Sequence, residues 1–153
     1  MASLCEHAVA LAEQGYRVFP LIPEGKTPAI KGWQKKATTD PAAVRKMWGK
    51  RPCNIGIATG NGLAVIDIDV KDGKTADEKV ALLEMLYGEF PETLTVETPG
   101  GGRHYYFNTN QAVVKSSVGK VLGGVDVRGK GGLVVAPGSQ SGGKDYRRRP
   151  DSY

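Results

Sequence analysis

The stretch GLAVIDIDVKDG, residues 62–73, decides how the fold is read. An apolar run from Leu63 to Ile68 contains one aspartate, Asp67, and is followed at once by a second, Asp69. A strand turns alternate side chains to opposite faces, so Asp67 and Asp69 share one face while Ile66 and Ile68 pack on the other. Two carboxylates side by side repel each other, and a hard divalent cation such as Mg²⁺ between them is the commonest relief. The stretch therefore predicts a strand with one face against a core and the other carrying acid toward a site.

Outward from it, the chain alternates helical and extended patterns. SLCEHAVALAEQ places Leu4, Ala8, Leu11 and Ala12 at helical spacing, with Ser3 as N-cap, Glu6 three residues on and Gly15 as the stop. YRVFPLI reads as a short strand ended by Pro20 and Pro23, and PEGKTPAIKGWQKKATT as a long loop of the functional or ordered kind. Asp40 before Pro41 opens a helix to about Trp48. NIGIATG and GLAVIDIDV read as two strands of a hairpin joined at Gly60, Asn61 and Gly62. TADE at 75–78 is a capping box ahead of Val80, Leu82, Leu83 and Leu86, which predicts a helix over 75–88. LTVET, RHYYFN and LVVAP complete the expected strands. Interleaved helices and strands with a hairpin predict an α+β fold.

Length and composition fit one domain, 1–153, able to bury about two-thirds of its unfolded surface. Cys5 and Cys53 are too few and too far apart for a zinc cluster or a disulfide scaffold. There is no signal-peptide pattern, and no apolar run approaches the roughly 18 residues of a membrane span. A soluble cytoplasmic protein without membrane contact is expected. The net charge of +5 favours an anionic partner. Basic residues look evenly spread except Arg147, Arg148 and Arg149, which read as a solvated tail. The chain stops at RRRPDSY without a terminating element, so a C-terminal truncation of a longer protein is expected.

Two further stretches carry chemistry. In TPGGGRHYYFN, residues 98–108, glycines allow close approach of a ligand, and His104, Tyr106 and Asn108 alternate against Arg103, Tyr105 and Phe107. His104 suits a phosphate contact. In GGVDVRGKGGLVVAPGS, residues 123–139, Asp126 and Arg128 share a face, and backbone N–H groups around Gly129, Gly131 and Gly132 suit an anion. Three carboxylates, a histidine, an arginine and glycine loops together make the inventory of two-metal phosphoryl transfer. An EF-hand starting at Asp67 fails because Lys71 takes the fifth position and Gly73 falls one place late. A haloacid-dehalogenase-type phosphatase is weakened by Lys71, where Thr or Val belongs.

VIDID, then GGRHYYF, then GVDVRGKGGLVVAPGS resemble the three catalytic motifs of the bifunctional DNA primase/polymerase N-terminal domain, a branch of the archaeo-eukaryotic primase superfamily. VFPLIPEGKTPAIKGWQ and NIGIATG resemble the segments before the first motif. The resemblance implies a primase/polymerase core with a catalytic sheet similar to an RNA-recognition motif. It implies Asp67, Asp69 and Asp126 as metal ligands for two Mg²⁺ or Mn²⁺ ions and His104 as a contact to the nucleotide's phosphates. The expected nucleotide-binding set is His104 and Arg128, with Gly102, Arg103 and Lys130 beside them. Gly102 departs from the superfamily, which often has Ser there. The implied activity is template-directed nucleotidyl transfer from an NTP or dNTP on a single-stranded DNA template and primer. A helicase domain in the same full-length chain is expected, in replication of a plasmid, phage or integrated element. Two alternatives remain open. One is a metal-dependent phosphate-ester hydrolase with Asp67 as nucleophile, and the other a non-catalytic single-strand-binding module stacking bases on Trp33, Tyr105 and Tyr106.

Overall fold

The computed structural model describes residues 2–110 and 112–150, apart from the side chains of 119–121. The chain end at Tyr153, on which the truncation expectation rests, lies outside these residues. Along the chain run α1 (Leu4–Glu13), β1 (Val18–Leu21), α2 (Trp33–Lys36), α3 (Pro41–Trp48), β2 (Asn54–Ala58), β3 (Leu63–Ile68), α4 (Ala76–Tyr87), β4 (Thr95–Glu97) and β5 (Arg103–Asn108). They are followed by β6 (Ser117–Leu122), β7 (Val125–Arg128), β8 (Leu133–Val135), β9 (Gln140–Ser141), β10 (Lys144–Asp145) and β11 (Arg147–Arg148). The fold is α+β. Two compact units divide it, one of residues Met1–Ala58 with Leu133–Tyr146, the other of Thr59–Gly132 with Arg147–Tyr153.

The first unit holds the sheet β1-β2-β8, antiparallel throughout. Ser3 caps α1 by accepting the Glu6 N–H, and Asp40 caps α3 by accepting the Ala42 N–H, as their positions predict. Pro20 does not end β1 but sits within it, opposite Ile55. It is tolerated because β1 is the edge strand, where a missing N–H breaks no ladder bond. The long loop contains the single turn α2, whose Trp33 stacks on Phe19 of β1 with ring centroids 4.6 Å apart.

The second unit holds a six-stranded sheet of order β11-β4-β5-β3-β7-β6, its paired strands antiparallel. The expected hairpin between β2 and β3 does not form, since the two strands belong to different sheets. Its turn does form. Asn61 and Gly62 both take positive φ, and Gly60 and Leu63 exchange N–H to carbonyl bonds of 2.7 and 3.1 Å. The local turn chemistry is as predicted, and the strand ahead of it departs to another partner.

The helix predicted over 75–88 is α4, with the Thr75–Glu78 capping box complete. Ala76 and Leu83 of α4 bury against Ile68, Tyr105 and Val125, with Ile66, Val80 and Phe107 packed around them. Each large side chain so buried stabilises by about 1.5–3 kcal/mol. This fixes the register of β3, because a slip of one residue turns Asp67 into the core. The solvated tail expected at Arg147–Arg149 is instead ordered. Arg147 and Arg148 pair with Glu97 and Val96 as β11, and Arg147 and Arg149 lie 3.3 and 3.8 Å from the Glu97 carboxylate.

Candidate active site

The face of the six-stranded sheet opposite α4 carries the candidate site. In the β3–β5 ladder Asp67 stands opposite His104, and in the β3–β7 ladder it stands opposite Asp126. Directly opposed residues share a face, so three strands bring His104, Asp67 and Asp126 into one row. His104 Nε2 lies 3.4 Å from Asp67 Oδ1. Arg128, two residues along β7 on the same face, donates from Nη2 to Asp67 Oδ2 and to Asp126 Oδ2, each at 3.2 Å. Burial pushes the Asp67 carboxyl up, but the His104 and Arg128 contacts outweigh it and hold it below its ordinary value.

Asp69 lies one residue past the end of β3 and does not join the pair directly. Its Oδ1 accepts the Lys71 N–H at 2.9 Å, an Asx-type turn, and its side chain is exposed. Its main chain is fixed at both ends, the N–H to Gly124 O at 2.8 Å and the carbonyl to the Lys79 ammonium. Lys79 is 1 % exposed on α4 and pairs with Asp72 Oδ1 at 2.9 Å. Sequence reasoning missed it. The signal was a lysine one residue before Val80 on the apolar side of a helix, a place where only a paired ammonium is tolerated.

The expected nucleotide-binding residues divide. His104 and Arg128 are in the row. Arg103 points to the other face, where its guanidinium bonds Asp77 of α4 and the Tyr105 hydroxyl, because odd and even positions of β5 alternate. Gly102 is buried, and a Cβ there would collide with the Ile68 carbonyl, so its lack of a side chain serves the close approach of β5 to β3. Lys130 is exposed beyond the end of β7. The backbone donors expected around Gly129 are engaged within the chain. Gly129 N–H donates to Ser116 Oγ at 2.9 Å, and Gly132 N–H donates to Gly129 O at 3.0 Å. The stacking platforms of the single-strand-binding alternative are also occupied. Tyr105 and Tyr106 are buried, and Trp33 lies on Phe19.

Among the described residues no cluster of three His, Cys, Asp or Glu side chains stands ready for a metal. The donor set of the Asp67–Asp126 pair nonetheless fits a hard divalent cation: two carboxylates are held side by side, and positive charge, here the guanidinium of Arg128, lies against both.

Three motifs far apart in sequence thus meet on one sheet face. The family model for the bifunctional DNA primase/polymerase N-terminal domain matches residues 8–152, nearly the whole chain. The chain belongs to that family, whose activity is of the DNA primase/polymerase type, with DNA and nucleotides as substrates and divalent metals in general use. Comparison with curated proteins finds no match. No helix among the described residues is long and apolar enough to cross a membrane.

Proposed function

We propose that the chain catalyses template-directed nucleotidyl transfer by a two-metal mechanism. The observation that carries the reading is the row of His104, Asp67 and Asp126 on one face of three adjacent strands. The hydroxyl oxygen of a primer, or of a first nucleotide in priming, gives up its proton to water and bonds to the α-phosphorus of a nucleoside triphosphate. The bond from that phosphorus to the bridging oxygen breaks, and pyrophosphate leaves.

Asp67 and Asp126 would hold the cations, with Asp69 at the end of β3 as the further carboxylate. When bound, the cations lower the basicity of the attacking oxygen and balance charge on the leaving one. Asp67 is ready for this role at neutral pH because His104 and Arg128 favour its ionised form. Arg128 neutralises the pair in the free protein, and its guanidinium is the donor that would serve the triphosphate. His104, 6 % exposed at its side chain against 36 % for Arg128, orients Asp67 and adds a second donor at the β5 end of the row. The replicon setting and a helicase in the full-length chain rest on the family resemblance alone.

The test is a priming and primer-extension assay with ribo- and deoxynucleotides, each with Mg²⁺ and Mn²⁺. Release of one pyrophosphate per nucleotide added is expected. Release of inorganic phosphate with a phosphorylated Asp67 establishes the hydrolase in its place.

A further inference from the structure

The two units hold nearly equal numbers of cations and very different numbers of acids. The unit of Met1–Ala58 and Leu133–Tyr146 carries ten Lys and Arg against five Asp and Glu, and the other carries eleven against eleven. The whole net charge of +5 therefore belongs to the first unit, although the basic residues look evenly spread along the sequence. Within it the stretch 26–51 holds eight Lys and Arg and a single acid, Asp40, which is used as the cap of α3. All eight cations are exposed, and none takes part in an ion pair among the described residues.

This stretch is ordered cover and not a loose loop. Its part through Thr38 lies along the open edge of β1, where Ala29 N–H donates to Pro20 O at 2.9 Å, Thr38 and Val18 exchange backbone bonds of 3.0 Å, and Trp33 stacks on Phe19. The apolar side of α3 is turned inward, with Val44 and Trp48 fully buried and the Trp48 indole donating to Cys53 O at 3.1 Å. Lys35 and Lys36 on α2, and Arg45 and Lys46 on α3, are left facing water on elements whose other sides are fixed. No fully exposed aromatic residue accompanies them in this unit, so the surface offers charge without a stacking platform.

We propose that this cationic face of the first unit, from α2 through α3, is a docking surface for the phosphate backbone of the DNA substrate, independent of base sequence. The inference rests on the proposed polymerase reading for the identity of the polyanion. The surface belongs to the first unit and the carboxylate row to the second.

The experiment measures binding of a fluorescent primer–template duplex over a range of salt concentrations, without metal or nucleotide. It compares the parent with Lys35→Gln/Lys36→Gln/Arg45→Gln/Lys46→Gln, with the corresponding four-Glu variant, and with the control Lys74→Gln/Arg147→Gln in the other unit. The four-Gln variant keeps the helices, since Gln is nearly as good a helix former as Lys. Its duplex affinity is expected to fall at least about tenfold near 100 mM salt, with the slope of log affinity against log salt shallower by about two units or more. The four-Glu variant is expected to lose more and the control to match the parent. Unchanged affinity and slope in a folded four-Gln variant overturns the proposal, as does parent binding to anionic phospholipid vesicles or polyglutamate as tight as to duplex. Failure here with metal-dependent extension intact leaves the polymerase reading standing. Loss of DNA binding in a protein whose parent extends no primer keeps the surface and removes the activity.

Discussion

The two units spend similar numbers of cations in opposite ways. In the unit of the six-stranded sheet, five cations are set onto acids, while Lys71, Lys74, Lys115 and Lys130 face water: Arg128 onto Asp67 and Asp126, Lys79 onto Asp72, Arg103 onto Asp77, and Arg147 with Arg149 onto Glu97. In the unit of the three-stranded sheet, the cations of 26–51 face water. A balanced net charge in the one thus conceals a prepared acidic row, and an excess in the other marks a surface. Charge counted over a whole chain averages these two designs into a bland +5.

Substitutions in the acidic row break the comparison most sharply. Asp67→Asn is expected to reduce primer extension about a thousandfold or more, the several kcal/mol that metal charge stabilisation supplies. Duplex affinity measured without metal is expected to stay at the parent's value, because the cationic face lies in the other unit. A parallel fall in both measurements removes the division of labour.

Arg128→Ala comes next, with nucleotide affinity expected to drop about tenfold to a hundredfold in a titration with Mn²⁺ present, the worth of one charge-assisted donor. Lys79→Met follows. It leaves the Asp69 carbonyl without its ammonium donor, so urea unfolding is expected to show a loss of about 1–3 kcal/mol, with weaker Mn²⁺ binding at the loosened end of β3. The smallest effect is on acid stability. Asp67 is depressed below 3.8 in the fold, so its contribution is present above that value and is lost as pH falls through the folded pKa. Asp67→Asn is expected to remove that contribution at neutral pH, lowering the melting temperature there, and to flatten its decline below about pH 4.

Much of this was legible in the sequence because local rules and tertiary packing agree. The caps at Ser3, Asp40 and Thr75 are local chemistry, and β3 obeys its alternation because α4 buries Ile66 and Ile68. The row was foreseeable in kind, since Asp67, His104 and Asp126 each had the right face, but the register that aligns them is set by pairing between distant strands. The repulsion read from the sequence was between Asp67 and Asp69, whereas the guanidinium of Arg128 lies between Asp67 and Asp126. What stayed hidden depends on partners that no local window contains. Pro20 is allowed only because β1 is an edge, Asn61-Gly62 makes its turn while β2 leaves for another sheet, and Arg147–Arg148 order only by pairing with β4. Arg103 was assigned to nucleotide although its own alternation placed it on the α4 face. The partition of acids between units was invisible because the first unit is completed by residues 133–146.

The central claim is that Asp67 and Asp126 together hold the divalent cation. It is tested most directly by titrating Mn²⁺ into the protein without nucleotide, following free Mn²⁺ by electron paramagnetic resonance, for the parent and for folded Asp126→Asn. The account predicts saturable binding to the parent and at least about tenfold weaker binding to the variant, the loss of one charged ligand contact. Equal Mn²⁺ affinity in the two proteins contradicts it.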